Sequence, residues 1–125
     1  MSENHLIADI SLKAIIEKDR KILFVLGADD DYWQLPGGRI NEGEELEDAF
    51  KREGMEELGL DVKPKNIFDS FIFKSTSGKN HVVIVYRCDV LNELESMRYG
   101  DGEIKESKWV GEQNFRELKI RDGYK

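Results

Sequence analysis

The stretch Leu35–Leu60 constrains this chain most, because a glycine loop leads directly into a carboxylate-rich helix. Pro-Gly-Gly at 36–38 ends an extended segment, and adjacent glycines let a backbone turn sharply and approach a ligand closely. The helix is predicted to begin near Glu44 or Glu45 and to end at Leu58, with Gly59 as a left-handed C-cap. The order of loop and helix indicates a binding site rather than a plain turn.

Three glutamates of this helix, Glu53, Glu56 and Glu57, stand at i, i+3 and i+4 and therefore share one face within an arc of about 100°. In an ordinary amphipathic helix, the apolar residues would lie on the opposite side. Here Leu46 and Phe50 project along the same side as the glutamates, so the carboxylates are predicted to line a cleft. Like charges placed so closely need a cation, and their hard oxygens suit Mg²⁺ or Mn²⁺. The Gly37 carbonyl is a candidate for one further metal ligand, and the loop amides are candidates to face phosphate.

Composition narrows the class of protein. A chain of 125 residues with 39% hydrophobic content predicts one domain, residues 1–125. The net charge of −7 argues against binding to a nucleic-acid polymer or to an anionic membrane surface, so an acidic protein that handles phosphates is expected to use a metal ion. The sequence predicts a cytoplasmic protein, because it has a single cysteine, Cys88, no secretory signal and no apolar run of about 20 residues.

The remaining patterns predict several strands around the one helix, which favours an α/β sandwich. Asp61–Pro64 is expected to lead out of the helix, and residues 75–80 to form a hairpin loop. A short helix is predicted at Glu112–Leu118. The predicted strands are His5–Glu17, Lys21–Leu26, Trp33–Leu35, Ile67–Lys74, His81–Val90 and Ile104–Val110.

The spacing of residues 38–60 resembles the Nudix box, G-x5-E-x7-R-E-U-x-E-E-x-G-U, in which U is a bulky aliphatic residue. Every fixed polar and glycine position is present, and these are Gly38, Glu44, Arg52, Glu53, Glu56, Glu57 and Gly59. The resemblance implies a Nudix-type α/β/α sandwich with a mixed β-sheet over the whole chain. Gly54 departs from the pattern, because it occupies a position where the family usually has an aliphatic residue. We expect Gly54→Ala to raise thermal stability if there is space beside the helix, and to lower it if a neighbour fills that space.

The family resemblance implies hydrolysis of a nucleoside diphosphate linked to another group, with Mg²⁺ or Mn²⁺ as cofactor. It implies that Glu53, Glu56 and Glu57 hold the metal, assisted by the Gly37 carbonyl, and that Glu44 and Arg52 support these ligands. The general base stays open between Glu57 and an acid from a later loop. Glu103, before Trp109, is the first candidate for that acid and for a further metal ligand; Glu106 is the second, and a solvated loop acid is the alternative for each.

Three residues are candidates for substrate binding. Gly38 brings the loop backbone close to the phosphates, and Arg39 is placed to reach a phosphate, with an exposed salt bridge as the alternative. Trp33 is a candidate to stack on a base, with a place in the core as the alternative.

The expected substrate is a small-molecule nucleotide. Two marks of family branches, a proline and a tyrosine downstream of the box, are missing from Phe73–Ser77. By elimination, a (deoxy)nucleoside triphosphate is the first expectation, while ADP-ribose, another nucleotide sugar or a dinucleoside polyphosphate remain alternatives. A Nudix-fold module that binds a nucleotide without cleaving it is a further alternative, and a homodimer is possible.

Overall fold

The computed structural model describes residues 4–100 and 102–111. Within these residues there is one α-helix, α1 (Leu46–Leu58), and a short 3-10 helix at Leu94–Ser96, and neither is long and apolar enough to span a membrane. The strands are β1 (Asp9–Ile15), β2 (Glu17–Lys18), β3 (Lys21–Gly27), β4 (Trp33–Gln34), β5 (Gly37–Arg39), β6 (Val62–Lys74), β7 (Asn80–Val90) and β8 (Ile104–Val110).

Two sheets carry these strands. The first has the order β5-β1-β7-β6, in which β1 runs parallel to β7 and the other neighbours are antiparallel. The second has the order β2-β3-β4, and β8 pairs antiparallel with β3. The predicted α/β class with a mixed sheet is therefore confirmed, whereas the helix predicted at Glu112–Leu118 lies outside the described residues.

Strand β1 connects the two halves of the core, because successive side chains of a strand point to opposite faces. Leu12 and Ala14 pack in one buried cluster with Phe50 of α1, and Ile15 packs in a second cluster with Trp33. The sequence pattern predicted a single strand over His5–Glu17. The structure instead ends β1 at Ile15 and continues into β2, which belongs to the other sheet.

Strand β6 begins earlier than predicted. It starts at Val62 rather than Ile67, and it includes Pro64. Because β6 is the edge strand of its sheet, the missing N–H of a proline can face away from the neighbouring strand, and the pairing with β7 shifts register just after Pro64. The hairpin loop predicted between β6 and β7 is confirmed, and it is closed by a bond from the Ser75 amide to the Lys79 carbonyl at 2.8 Å.

Candidate active site

The C-terminal end of α1 fixes how the helix meets the sheet. Gly59 adopts the left-handed conformation (φ 66°, ψ 24°), as predicted. Its amide donates to the Met55 carbonyl and the Leu60 amide donates to the Gly54 carbonyl, both at 3.1 Å. This tight turn sends the chain directly into β6, and it leaves very little distance between that strand and the last turns of the helix.

Gly54 is required by that close approach. A Cβ at this position would lie 2.6 Å from Val62 Cγ2 and 2.7 Å from the Leu60 carbonyl oxygen. The space on which a stabilising Gly54→Ala substitution depends is therefore absent. Glycine at this place in the helix is explained by packing.

The two loop glycines bring the backbone against the helix carboxylates. Gly37 has a φ of 145°, and a Cβ there would collide with the Leu12 carbonyl oxygen. A Cβ at Gly38 would lie 2.5 Å from the carboxyl carbon of Glu53. The Gly37 amide donates to Glu57 Oε1 at 3.2 Å. The loop thus supplies an N–H to the site, while a metal-binding role for the Gly37 carbonyl stays a prediction.

Arg52 gathers the other acids of the box around one guanidinium group. Its Nε donates to Glu44 Oε2 at 2.7 Å, and its Nη2 donates to Glu44 Oε1 at 2.9 Å and to the Arg39 carbonyl at 3.0 Å. Its Nη1 donates to Glu53 Oε1 at 2.8 Å and to Glu56 Oε1 at 3.0 Å. All five N–H groups of the side chain are therefore used. The structure brings together the residues that were predicted to support the metal ligands.

Glu44 is the acid most strongly held by this arginine. The pKa of Glu44 is lowered to about 2, mainly by the paired bonds from Arg52 and to a smaller extent by the bond from the Asn41 amide at 2.7 Å. Glu44 therefore stays ionised and fixes the direction of the guanidinium group, which in turn orients Glu53 and Glu56.

Glu57 has the opposite environment. Its side chain is buried, with 8% exposed, and burial is the main reason that its pKa rises to about 7. The charge of Lys13 opposes this rise, as does the Gly37 amide, while the charges of Glu53 and Glu103 add to it. The charge of Lys13 only partly offsets the burial of this carboxylate beside other carboxylates, and a divalent cation would supply further positive charge.

The donor set fits Mg²⁺ or Mn²⁺ in its chemistry, since every candidate offers hard carboxylate oxygens. The acids that act on Glu57 are Glu53 and Glu103, whereas Glu56 has 45% of its side chain exposed and bonds to Arg52. Within residues 4–100 and 102–111, no three acidic, histidine or cysteine side chains are grouped as ready metal ligands. Binding of a metal by all three glutamates therefore requires their carboxylates to move closer together, and Arg52 holds only one oxygen of Glu53 and one of Glu56.

Glu103 connects the loop before Trp109 to the site. Its backbone carbonyl accepts a hydrogen bond from the Ala28 amide at 2.9 Å, and the charge of its side-chain carboxylate acts on Glu57. Glu106, the second candidate, is exposed on β8 opposite Leu26. The geometry therefore favours Glu103 over Glu106, and the role of either acid stays a prediction.

The two predicted substrate-binding side chains, Arg39 and Trp33, contact other protein groups in the structure. Arg39 is 63% exposed, and its Nη1 lies 3.4 Å from Asp9 Oδ2, which corresponds to the salt-bridge alternative. Trp33 is 8% exposed in the core, and the ammonium of Lys108 lies 5.0 Å from its ring centre. This placement favours the core role for Trp33 and puts a base-stacking role in doubt.

Sequence reasoning missed Lys13. This side chain is 8% exposed, and β1 places it opposite Gly37 in the register between β1 and β5. Its Nζ donates to Gln34 Oε1 at 3.2 Å. The signal available in the sequence was a lysine in the middle of an otherwise apolar run, Leu12-Lys13-Ala14-Ile15.

Comparison with known proteins agrees with this geometry. The sequence model of the NUDIX domain matches residues 10–124. An ADP-ribose pyrophosphatase of Methanocaldococcus jannaschii is 32% identical over 113 residues, which are 87% of this chain and 65% of that protein. An RNA pyrophosphohydrolase of Wolbachia pipientis wMel is 30% identical over 97 residues, which are 66% of this chain and 60% of that protein.

Solved structures of other proteins have the same fold. A NUDIX hydrolase from Nitrosomonas europaea superposes with a TM-score of 0.78 over 93% of this chain and 82% of that chain, at 22% identity. The chain belongs to the NUDIX family, and the predicted resemblance is confirmed. It spans less than two thirds of the length of either curated relative described above.

Proposed function

We propose that this protein is a metal-dependent hydrolase that cleaves the phosphoanhydride linkage of a nucleoside diphosphate derivative, with a (deoxy)nucleoside triphosphate as the substrate. The observation that carries the proposal is the buried Glu57 carboxylate, held by the Gly37 amide beside Glu53 and Glu103. Such a group is suited to bind a cation or to accept a proton. It has no evident purpose in folding.

Each box residue has a definite task in this proposal. Glu53, Glu56 and Glu57 hold Mg²⁺ or Mn²⁺, with Glu103 and the Gly37 carbonyl as further candidates. When bound, the metal neutralises charge on the phosphate oxygens and acidifies water. A water molecule attacks phosphorus, the bond to the leaving phosphate breaks, and a carboxylate takes the proton of the water. Glu57 and Glu103 are the two candidates for that base, because Glu57 is buried in the site and the charge of the exposed Glu103 acts on it.

A second substrate class has support of its own. The Methanocaldococcus relative is named an ADP-ribose pyrophosphatase, and it is similar to this chain over 87% of the chain. ADP-ribose contains the same diphosphate linkage as a nucleotide sugar, so the same carboxylates would serve. The Wolbachia relative is named an RNA pyrophosphohydrolase, which adds RNA to the candidates, although the net charge of −7 disfavours a polymer.

The experiment is a substrate panel in the presence of Mg²⁺ or Mn²⁺. The arms are the (deoxy)nucleoside triphosphates, ADP-ribose, UDP-glucose, diadenosine tetraphosphate and a 5′-triphosphorylated RNA oligomer, with phosphate and pyrophosphate release measured after each. We expect turnover with the nucleoside triphosphates and its loss in Glu57→Gln. Glu47→Gln, an exposed acid in the first turn of the same helix, is the matched control and should keep full activity.

Two outcomes would contradict this proposal in different ways. Tight binding without turnover of any substrate would make the protein a nucleotide-binding module. An unchanged melting temperature on addition of millimolar Mg²⁺ or Mn²⁺ would exclude a metal site, because a ligand that binds the native state stabilises it. The cytoplasmic location predicted from the sequence remains a proposal. The sequence leaves monomer and homodimer open, and light scattering of the purified protein distinguishes them.

A further inference from the structure

The acidic residues of the Nudix box give the site an excess of negative charge, and they do not supply positive groups that could bind phosphate. Glu53, Glu57 and Glu103 place several negative charges around one position, and a phosphate chain brings more. A single divalent cation balances only two of them. Positive or hydrogen-bonding protein groups must therefore face the phosphate oxygens if a substrate is to bind and its developing charge is to be stabilised.

Arg52 cannot take this task without giving up the network around it. All five of its N–H groups are donated to Glu44, Glu53, Glu56 and the Arg39 carbonyl. A phosphate oxygen could bind Arg52 only by replacing one of these acceptors. The arginine therefore serves to orient the carboxylates.

Lys13 is the cation that the fold places inside the site. In the described part of the chain, the buried charged side chains are Lys13 and Glu57, each with 8% exposed. Lys13 lies on β1 opposite Gly37, whose amide holds Glu57, and the positive charge of Lys13 acts on that carboxylate. Gln34 accepts a hydrogen bond from Nζ at 3.2 Å, which fixes the direction of the long side chain.

Burying an ammonium group is unfavourable, and nothing in the packing of β1 requires one. Ile15, the next residue on the same face of β1, is buried and apolar, so an apolar residue at position 13 would also suit the strand. A purely structural explanation is that Lys13 offsets the charge of Glu57. That explanation and a role in substrate binding predict different effects when the charge is removed.

We propose that Lys13 is a phosphate-binding residue, whose ammonium group contacts the phosphate chain of the nucleotide beside the carboxylates of α1. This inference rests on the proposed hydrolase function and adds a specific contact to it. The ligand class is an anhydride-linked phosphate chain, as in a nucleoside diphosphate derivative or pyrophosphate. A lysine suits this contact because its three donors can follow the phosphate oxygens as their charge changes.

The test compares Lys13→Met and Lys13→Arg with the parent protein. Methionine keeps an unbranched side chain without the charge, and arginine keeps the charge. Lys21→Met removes an exposed lysine from the far end of β3 and is the matched control for the loss of one positive charge. The measurements are KM and kcat for the substrate found in the panel, calorimetric binding of pyrophosphate with Mg²⁺, and Mn²⁺ affinity without phosphate.

We expect Lys13→Met to weaken pyrophosphate binding and to raise KM by about tenfold or more, the usual effect of losing a hydrogen bond between charged groups. Mn²⁺ affinity should stay the same or increase, because a repelling cation has been removed from the carboxylates. Lys13→Arg should recover part of the loss, and Lys21→Met should match the parent protein.

The opposite pattern would overturn the inference. If Lys13→Met keeps the parent KM and pyrophosphate affinity, the role of Lys13 is structural. The same conclusion holds if Mn²⁺ and pyrophosphate binding weaken only together with a general loss of structure. If Lys13→Met fails to fold, Lys13→Arg and Lys13→Gln decide by the same binding measurements. A parent protein that hydrolyses nothing but binds pyrophosphate through Lys13 would refute the proposed function alone.

Discussion

The metal-free protein is expected to become more stable, not less, when Glu57 is replaced by glutamine. Glu57 is buried, and burial together with the charges of Glu53 and Glu103 raises its pKa from 4.5 to about 7. Each tenfold change in acidity is worth about 1.4 kcal/mol, so an ionised Glu57 lowers the free energy of unfolding by about 3 kcal/mol. Glutamine keeps the shape and can still accept the bond from the Gly37 amide.

The pH dependence has a definite sign. Because the pKa is higher in the folded protein than in the unfolded chain, the folded state binds the proton more tightly. The stabilisation from this proton is complete below pH 4.5, and it is lost as the pH rises through about 7. Glu57→Gln should therefore match the parent protein near pH 4.5 and exceed it at pH 8. For a chain of this length, about 3 kcal/mol corresponds to about 10 °C in Tm.

The assay is thermal unfolding in EDTA from pH 4.5 to 8.5, followed by the same series with Mn²⁺. Added metal should stabilise the parent protein and have much less effect on Glu57→Gln. Glu44→Gln is a control of opposite sign, since Arg52 lowers the pKa of Glu44 to about 2, and its stabilisation is present above pH 4.5 and lost in acid. The reasoning fails if metal-free Glu57→Gln is less stable than the parent at pH 8, or if their difference does not change with pH.

Three further predictions concern the packing of the helix, the arginine of the site and the single cysteine. Gly54→Ala should lower the unfolding free energy by about 1–3 kcal/mol, because its Cβ would lie 2.6 Å from Val62 Cγ2; urea unfolding beside Asp48→Ala, on the exposed side of the helix, checks this. Arg52→Lys should lower Mn²⁺ affinity about tenfold in calorimetry, since lysine cannot make the paired bonds to the acids, and an unchanged affinity would contradict the orienting role. Cys88 is half-buried, and burial raises its pKa to about 12, so a thiol reagent should label it much more slowly in the native protein than in the unfolded chain. Equal labelling rates for the native and unfolded protein would contradict this.

The features predicted well from the sequence are those encoded within a few residues. The helix ends at Leu58 and Gly59 takes the left-handed conformation, because a glycine at that place is the local signal for a C-cap. The loop of the β6–β7 hairpin was predicted from its polar residues for the same reason. The early start of β6 at Val62 was not predicted, because Pro64 is acceptable there only at the edge of a sheet, and strand order is not a local property.

The helical projection predicted the site only in part. It placed Glu53, Glu56 and Glu57 on the packed side, and Glu57 is indeed buried. Glu56 stands at the other edge of the arc, about 100° from Glu57, and its side chain bonds to Arg52 with 45% exposed. A projection gives directions around an axis, but it cannot show which carboxylates a neighbouring arginine will hold.

Two departures from local rules in this chain have different physical causes. Gly54 interrupts a helix because β6 passes too close for a side chain, so its cause is packing. Lys13 and Glu57 place charges where packing would accept apolar residues, and each is unfavourable to the fold when taken alone. Under our proposal, the charges of opposite sign buried on β1 and α1 serve a ligand that uses both: a cation for the carboxylate and an anion for the ammonium. A metal–nucleotide complex has both charges, which is why these two residues, rather than Gly54, identify the site.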